Sequence, residues 1–501
     1  MKWNKLIYVT LFTLFLFSAC YEDKGNYDYK DMEKNKVTVL FKSWTAKPYY
    51  GEPAIFTPKL RLDNPNADTN VLKFNYYFGK YGCVCSEKNM SYVFEGETGS
   101  VEGILIVTDT TTGMMWSSNI GVSYQSPYGT GWFILSDENG KSRVNMVRVR
   151  NDEYITDQRL YSTLWGGDLG TRPHRILLNK KGIKWGEPYE LRILQDGPEG
   201  SVSLDPKDLK LTKTLKSEFV GEMLPDVGFK AEGFAFGDCC GVVIGQDGNV
   251  YTRIYDRNKL NYSSFVAIPM EYKKQKVNAQ YLLNDHPKGE MYDMILYDKT
   301  QGAFMIVKGG SLSSAGGTSV VTAPETLPTG VPSPANLYAY ENLYSQLYNT
   351  GYNGVASVFS LIKDKDGKVF VYSFAGPLLG ECKELTKKEF KASALLSETS
   401  VWHRLRTRPY LFIGKGKELY YYDLNTSMLY PYRLSTGFAG NITSIESDYS
   451  QKDNVLAVGL DSGDFYLLDV SEKAFVAPEL PEPIYQTRVP GKIVDHFYKQ
   501  Y

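Results

Sequence analysis

Short runs of β-branched, aromatic and leucine residues recur along the first quarter of the chain, and polar clusters separate them. Residues 37–41, 74–78 and 103–109 are such runs, with Asn, Asp, Pro and Gly residues in the segments between them. Runs of this length and composition, bounded by turn residues, are typical of β-strands. Strands at this spacing predict a PKD-like or immunoglobulin-like β-sandwich over residues 37–125.

A second pattern begins after a linker signal near residues 124–131. An apolar strand, a polar turn that contains glycine and a second strand recur seven times, with the turn glycines at Gly140, Gly182, Gly248, Gly302, Gly367, Gly416 and Gly463. Their mean separation of about 54 residues is close to the repeat length of kelch-type blades. An isolated hairpin cannot bury its apolar face, whereas radially stacked hairpins can. The pattern predicts an all-β chain with a β-propeller of about seven blades over residues 126–501; two β-sandwiches in tandem are the alternative.

One segment interrupts this repeat and supplies the candidate binding residues. Residues 309–336 are rich in Gly, Ser, Thr and Pro, which predicts a long loop. Tyr340, Tyr344 and Tyr348 then recur every four residues. This spacing favours a short helix packed on the propeller. The functional interpretation is an aromatic ledge that binds a ligand, with Trp402 as a further candidate that is equally well explained as a core residue.

The N-terminus predicts export. Lys2 and Lys5 precede an apolar run over residues 6–17, which has the order of a secretory signal peptide. The run is shorter than the ~20 residues of a membrane-spanning helix. Ser18 and Ala19 then lead to Cys20, in an order that resembles the bacterial lipobox. We therefore predict a signal peptide over residues 1–19, membrane attachment through lipid on Cys20, and a polar tether over residues 20–36.

Five further cysteines have no assigned role. They are Cys83, Cys85, Cys239, Cys240 and Cys382, and an odd number cannot all pair within the chain. Neither close pair has the spacer of a usual zinc site. Buried free thiols are the favoured interpretation, since cysteine packs as a small apolar residue.

The composition narrows the functional classes. The chain has 56 basic and 57 acidic residues, so it lacks the basic excess that a nucleic-acid partner requires. Its four histidines are scattered, which argues against a histidine-built metal site. No nucleophile elbow, phosphate-binding loop, dinucleotide fingerprint or zinc-helix motif occurs. The sequence therefore predicts no cofactor, no metal and no catalytic residue.

Three short motifs carry a family resemblance. Residues 20–29 read Cys-Tyr-Glu-Asp-Lys-Gly-Asn-Tyr-Asp-Tyr, residues 107–109 read Val-Thr-Asp with Thr112-Gly113 after them, and residues 131–136 read Gly-Trp-Phe-Ile-Leu-Ser. Together they resemble the PKD-like family of Bacteroidetes lipoproteins. The resemblance implies an accessory lipoprotein of a TonB-dependent nutrient uptake system, attached to the outer membrane and facing the cell exterior. It also implies binding of glycan or another nutrient, and it supplies no catalytic motif.

Three hypotheses for the function follow. The first is a surface protein that binds a glycan through aromatic side chains. The second is a docking partner of the transporter complex, which predicts an exposed apolar patch and no deep pocket. The third is a propeller-based glycan-degrading enzyme, which requires convergent carboxylates or a His-Tyr-Arg cluster in one pocket. Because propellers host all three functions, the fold alone does not choose between them.

Overall fold

The structure, a computed structural model, describes most of the chain beyond residue 36. The described ranges are 37–63, 66–96, 99–180, 189–236, 240–256, 261–283, 293–308, 317–348, 356–376, 381–448, 452–476 and 480–500. These residues divide into two compact units, the first ending at Ser126 and the second beginning at Pro127. Within the described ranges, no helix has the length and apolar character needed to span a membrane.

The first unit consists of β-strands and two short 3-10 helices. A five-stranded sheet has the order β2-β9-β8-β5-β6, and two further pairs join β1 with β4 and β3 with β7. The strands are β1 (Val37–Leu40), β2 (Thr45–Ala46), β3 (Ala54–Phe56), β4 (Lys59–Leu62), β5 (Leu72–Phe78), β6 (Gly82–Cys85), β7 (Met90–Tyr92), β8 (Ser100–Asp109) and β9 (Met115–Ser123), and the 3-10 helices are Thr69–Val71 and Gly79–Tyr81.

One apolar core holds the first unit together. Alternate side chains of β5 point into it, including the fully buried Tyr76 and Phe78. Phe56 from β3 and Val39 from β1 meet them there, so all three sheets contribute to the same core. Burial of this kind supplies most of the stability of a small β-domain.

The second unit is also built from strands. It contains β10 (Gly131–Glu138), β11 (Lys141–Arg150), β12 (Glu153–Asp157), β13 (Thr171–Lys180), β14 (Tyr189–Asp196), β15 (Val202–Leu204), β16 (Leu211–Thr214), β17 (Ala231–Phe236), β18 (Cys240–Gly245), β19 (Val250–Asp256), β20 (Asn261–Tyr262), β21 (Glu271–Tyr272), β22 (Gln275–Lys276), β23 (Ala279–Leu283), β24 (Asp293–Asp298), β25 (Ala303–Lys308), β26 (Gly317–Val320), β27 (Tyr340–Tyr348), β28 (Ala356–Asp364), β29 (Val369–Gly376), β30 (Lys383–Glu389), β31 (Val401–Arg404), β32 (Tyr410–Lys415), β33 (Glu418–Asp423), β34 (Met428–Tyr432), β35 (Ile442–Ser447), β36 (Val455–Leu460), β37 (Asp464–Asp469), β38 (Tyr485–Arg488) and β39 (Lys492–Lys499). Its helices are α1 (Leu160–Trp165), α2 (Glu472–Val476) and the 3-10 turns Lys216–Glu218, Val220–Glu222 and Ser393–Leu395.

Antiparallel groups of four strands succeed one another along the second unit. They are β39-β10-β11-β12, β13-β14-β15-β16, β17-β18-β19-β20, β23-β24-β25-β26, β27-β28-β29-β30, β31-β32-β33-β34 and β35-β36-β37-β38. We call them sheets 1 to 7 in this order. A single residue pair, Lys141 with Thr171, also links sheets 1 and 2.

Sheet 1 takes its innermost strand from the far end of the chain. β39 pairs with β10 from Gly131 opposite Lys499 to Asp137 opposite Lys492. The innermost strands of consecutive sheets contact one another in the cyclic order β13, β17, β23, β27, β31, β35, β39 and again β13. Sheets 7 and 1 therefore adjoin, although more than 300 residues separate β10 from β35 along the chain.

Apolar cores lie between adjacent sheets. Phe304 from sheet 4 packs with Val358 and Phe374 from sheet 5 in one such core. Trp132 from sheet 1 packs with Phe465 from sheet 7 in another. Since a sheet face must be covered to bury its side chains, these cores hold the sheets side by side.

A buried group of four charges joins sheets 2 and 3. Arg192 makes ion pairs with Glu190 and with Glu218, the latter at 2.6 Å, and Arg253 lies 3.0 Å from Glu218. The guanidinium carbon of Arg192 also lies 3.9 Å from the ring centre of Phe234. Two positive and two negative charges thus compensate one another in an interior that would not tolerate an unpaired charge.

The predicted all-β class is confirmed, and six predicted hairpin turns join paired strands. These are the turns at Gly140, Gly248, Gly302, Gly367, Gly416 and Gly463, each between the second and third strands of its sheet. The turn at Gly182 lies outside the described residues, between β13 and β14. The equivalent connection in sheet 2 runs from Gly197 to Gly200, between β14 and β15.

The interpretation of the cysteines as buried thiols is correct at two positions and wrong at two. Cys240 and Cys382 are buried, and Cys239 lies outside the described residues. Cys83 is exposed and Cys85 is half-buried, because both lie on β6, an edge strand of its sheet. An edge strand leaves side chains open to solvent that an inner strand would cover.

Candidate ligand-binding cavity

A cavity of about 1190 Å³ lies among the innermost strands of the second unit. Its wall receives residues from the first strand of every sheet, in the cyclic order given above. The charged residues of the wall are Arg175, Glu232, Lys299, Arg406, Glu446, Lys452 and Asp495, its histidines are His403 and His496, and its aromatic residues are Phe234, Tyr281, Tyr344, Trp402, Phe497 and Tyr498. Apolar rings beside a few polar groups are the usual lining of a small-molecule site.

Asp495 is a carboxylate of this wall whose pKa departs from its ordinary value. Its Oδ2 accepts a hydrogen bond of 2.9 Å from the backbone N–H of Ile176 on β13. Burial raises the pKa of Asp495 to about 6, and the negative charge of Glu446 adds to this rise while Arg175 opposes it. Asp495 therefore takes up a proton only slightly below neutral pH.

Glu446, from β35, has two cationic or protonatable neighbours. Its Oε1 lies 3.0 Å from Nη1 of Arg406 and 3.6 Å from Nε2 of His403. An arginine at hydrogen-bond distance favours the ionised form of a carboxylate. Two of the three carboxylates of the wall, Glu446 and Asp495, thus lie in environments of opposite effect on their charge.

A hydrogen-bond chain fixes His403. Nε2 of His403 lies 2.8 Å from Oγ of Ser447, whose hydroxyl donates to Oδ1 of Asp453 at 2.7 Å. Because the Ser447 proton is directed to Asp453, the network assigns the proton of this contact to Nε2 of His403. Asp453 also accepts hydrogen bonds from the backbone and hydroxyl of Thr407. The chain joins sheets 6 and 7 and makes Ser447 a structural residue.

The second histidine of the wall is buried and uncharged. Nδ1 of His496 lies 2.8 Å from Oγ of Ser444, and its Nε2 lies 3.2 Å from the carbonyl oxygen of Ala457. Burial lowers the pKa of His496 to about 3. His496 therefore adds polarity to the wall without adding charge.

Tyr344 and Trp402, two of the sequence-predicted site residues, meet at the cavity. The hydroxyl of Tyr344 lies 2.5 Å from Oε1 of Gln346 and 3.2 Å from the carbonyl oxygen of Trp402. Gln346 in turn donates through Nε2 to the carbonyl oxygen of Arg404 at 2.9 Å. These bonds cross from β27 to β31 and hold the two aromatic residues in place. Trp402 is half-buried, with its ring 6.2 Å from that of Phe390.

The predicted helix at the tyrosine repeat is wrong, because Tyr340, Tyr344 and Tyr348 all lie on β27. The pairing of β27 with β28 shifts by one residue between Asn342 and Tyr344, which moves the later tyrosines to the other face of the strand. Tyr340 packs against Phe370, whereas Tyr344 packs against Phe359. The three tyrosines therefore do not form one ledge.

Tyr340 and Tyr348 have other partners outside the cavity wall. The hydroxyl of Tyr340 accepts a hydrogen bond of 3.1 Å from Nζ of Lys387. The guanidinium of the buried Arg404 lies 3.5 Å from the ring centre of Tyr348. Burial lowers the pKa of Arg404 to about 10. The ring of Tyr348 thus provides a cation–π contact for a buried charge. Cys20, the predicted lipid site, lies outside the described residues.

The sequence interpretation missed Arg175, Glu446 and Asp495. The available signal was an acidic residue within a strand, as for Glu446 in Ile442–Ser447 and Asp495 in Lys492–Lys499. That signal marks single positions only. Their convergence comes from the cyclic order of strands, which brings together residues from opposite ends of the unit. Among the residues that the structure describes, no group of three His, Cys, Asp or Glu side chains is placed to hold a metal ion.

Comparison with known families gives one match. The family described as the PKD-like family matches residues 20–173. The match covers the whole described first unit and continues through β10, β11 and β12 to the start of β13. No curated protein matches the chain.

Several solved structures resemble the chain at low identity. A quinoprotein alcohol dehydrogenase-like protein from Bacteroides thetaiotaomicron is 14% identical, with 92% of this chain and 96% of that chain covered and a TM-score of 0.39. YCF48 from Cyanidioschyzon merolae is 12% identical, with 60% and 84% covered and a TM-score of 0.36. The β-propeller domain of Cps50 (Swd1) from Myceliophteria thermophila is 11% identical, with 51% and 71% covered and a TM-score of 0.29. Because these TM-scores lie below 0.5, the likenesses carry no conclusion about this chain.

Proposed function

From the match of residues 20–173 to the PKD-like family, we propose that the protein is an exported lipoprotein that binds a saccharide. The binding site is the cavity among the innermost strands of the second unit. One observation carries the proposal: aromatic rings and hydrogen-bonding groups from seven different strands converge on a single cavity of about 1190 Å³.

The wall suits a sugar for two reasons. The rings of Tyr344, Trp402 and Tyr281 offer apolar faces, which pack against the C–H face of a pyranose. Gln280, Arg406 and Glu446 supply donors and acceptors for hydroxyl groups. The volume slightly exceeds the ~300–1,000 Å³ of common ligand pockets, which leaves room for more than one sugar ring.

The fold that belongs to this proposal has two parts. The first unit is a PKD-like β-sandwich, supported by its single core between sheets. The second is a seven-bladed β-propeller in which sheets 1 to 7 are the blades. The pairing of β39 with β10 and the cyclic contacts of the innermost strands support it. In such a propeller the cavity is the central channel, at which every blade presents its first strand.

The proposed location is the outer face of the outer membrane, where the protein serves as an accessory to a TonB-dependent transporter. The signal-like residues 1–19 and Cys20 support this location. In a Gram-negative host that processes lipoproteins, Cys20→Ala is expected to move the protein from the membrane fraction to the soluble fraction. Cys83→Ala serves as the matched control and leaves partitioning unchanged. Membrane retention of the Cys20→Ala protein would contradict lipid anchoring.

A glycan array tests the binding site directly. We expect saturable binding of the purified protein to one glycan class, and at least a tenfold loss of affinity on Tyr344→Ala. Tyr338→Ala is the control, because Tyr338 is 78% exposed and does not line the cavity. If both variants lose affinity equally, the assignment of the site is wrong. If no glycan on the array binds, a docking role is favoured instead.

A second candidate, glycan cleavage, rests on two carboxylates of the wall, Asp495 and Glu446. Asp495, with its raised pKa, has the character of a general acid, while Glu446 beside Arg406 has that of an ionised base. His403 and Tyr344 line the same cavity. If the protein cleaves its glycan, new reducing ends accumulate with the natural sequence and not with Asp495→Asn. Binding without product in both proteins would reject cleavage.

A further inference from the structure

We infer that the ligand of the cavity carries a carboxylate, as a uronic acid residue does, and that Arg175 on β13 binds it. This inference rests on the proposed saccharide binding and specifies the chemical class of the sugar. It begins with Arg175, which is exposed on the cavity wall. Within the described ranges its side chain makes no hydrogen bond and no ion pair within 4 Å, so its five N–H donors are open to the cavity.

Among the described residues, no charged group of the wall forms a hydrogen bond or an ion pair within 4 Å with Arg175, although the charge of Asp495 acts on it. Arg406 is already paired with Glu446 at 3.0 Å. Asp495, the carboxylate that interacts with Arg175, directs Oδ2 to the backbone N–H of Ile176 at 2.9 Å. Arg175 is thus the cation of the wall whose fork is available to a ligand.

The balance of charge around the cavity also favours an anionic ligand. Four basic residues line the wall against three acidic ones. One of the three, Asp495, loses its charge readily because burial raises its pKa to about 6. A positive excess in a partly enclosed site attracts anions and repels cations. A carboxylate also matches the planar fork of a guanidinium, because its two oxygens accept two parallel hydrogen bonds from the guanidinium N–H groups.

The aromatic residues select a sugar acid among possible anions. Tyr344 and Trp402 line the same cavity as Arg175, on β27 and β31. A pyranose with a carboxylate at one edge presents an apolar face to the rings and a charge to the arginine. A small inorganic anion would use only the arginine and leave the rings uncovered.

The test uses the full chain, purified in detergent, and a panel of matched oligosaccharides. The panel contains galacturonate, alginate and heparosan oligomers, each beside its carboxyl-reduced neutral counterpart, with binding measured by calorimetry. We expect saturable binding to at least one acidic oligomer and none to its neutral counterpart. Arg175→Ala is expected to weaken that binding about 10- to 100-fold, and Arg175→Lys by less, because a lysine keeps the charge and loses the fork.

The control is Arg433→Ala, which removes an exposed arginine outside the cavity wall and leaves binding unchanged. A thermal melt verifies that each variant is folded. Equal affinity for acidic and neutral oligomers would overturn the carboxylate inference and leave saccharide binding intact. Acid-dependent binding that survives Arg175→Ala would overturn the role of Arg175. Failure to bind any member of the panel would overturn both the inference and the proposed function.

Discussion

The carboxylate of Asp495, on β39, accepts a hydrogen bond of 2.9 Å from the backbone N–H of Ile176 on β13, the first strand of sheet 2. This contact crosses from sheet 1 to sheet 2 at the cavity wall. It places a titratable group at the junction of two sheets, where its protonation affects both the cavity and the stability of the fold.

Asp495→Asn is expected to change how stability depends on pH. Burial raises the pKa of Asp495 to about 6, above the ~3.9 of an unfolded aspartate, so the folded state holds the proton more tightly. The stability due to this group is complete below about pH 4 and is lost as pH rises through about 6. The free energy of unfolding of the asparagine variant should therefore exceed that of the natural protein by about 3 kcal/mol at pH 7 and match it near pH 4.

Urea unfolding of both proteins between pH 4 and pH 8 measures this difference. The asparagine keeps an oxygen acceptor for the Ile176 N–H, so the hydrogen bond itself is retained. A free-energy difference that does not vary with pH would contradict the assigned environment of Asp495.

Gly491→Ala is expected to weaken the pairing of β39 with β10. Gly491 precedes β39 and has a φ of 80°, and a Cβ there would overlap the backbone carbonyl oxygen of Asp137. Backbone atoms cannot move aside as a flexible side chain does. We therefore expect the free energy of unfolding to fall by about 3 kcal/mol or more. Gly437→Ala is the matched control, with a φ of 68° and open space around the new Cβ. Gly437→Ala should lower the free energy of unfolding by only about 1 kcal/mol. Equal losses in denaturant unfolding would show that the close approach to Asp137 is absent.

Arg192→Met is expected to destabilise the second unit strongly. The change removes the cation between Glu190 and Glu218 and leaves two buried carboxylates with less compensation. Burial alone would raise the pKa of Glu190. The positive charge of Arg192 acts in the opposite direction, and the pKa of Glu190 is lowered to about 2. Breaking a buried pair of this kind costs about 3–5 kcal/mol. Arg172→Ala is the control, because Arg172 is exposed and Asp196 keeps Lys230 as a second partner at 2.8 Å, so we expect a loss of at most about 1 kcal/mol. If Arg192→Met lowers the free energy of unfolding no more than Arg172→Ala does, the role assigned to the buried ion pairs of Arg192 is wrong.

Thiol labelling should separate the cysteines by exposure. Cys83 is exposed, and we expect it to react with a maleimide within minutes in the native protein. Burial raises the pKa of Cys382 to about 11, so this thiol is both covered and protonated. It should react only after unfolding, as Cys240 should. Mass spectrometry of the labelled peptides gives the result, and native labelling of Cys382 ahead of Cys83 would contradict the structure.

The strands could be predicted from the sequence because their signal is local. A turn glycine such as Gly248 needs a positive φ, here 81°, and an apolar run on each side identifies the hairpin around it. The tyrosine repeat shows the limit of such patterns. A spacing of four residues keeps side chains on one face of a helix and also on one face of a strand, so it does not choose between them. The strand bulge before Tyr344 is visible only in the pairing with β28.

The cavity could be predicted only in part. Tyr344 and Trp402 stand out as aromatic residues, and both line it. Arg175 and Asp495 do not stand out, because their proximity depends on strands that lie about 300 residues apart in the chain. The local composition of each strand does not indicate this proximity, because it arises from the cyclic order of the sheets.

The origin of the innermost strand of sheet 1 also constrains when the second unit can form. β10 is made early and lacks its inner neighbour until residues 492–499 are available. During synthesis, Trp132 and Phe133 on β10 therefore stay without their partners on β39 until residues 492–499 have been made. The unit can complete its assembly only then, and until that point the exposed apolar side chains of β10 favour aggregation or binding to a chaperone.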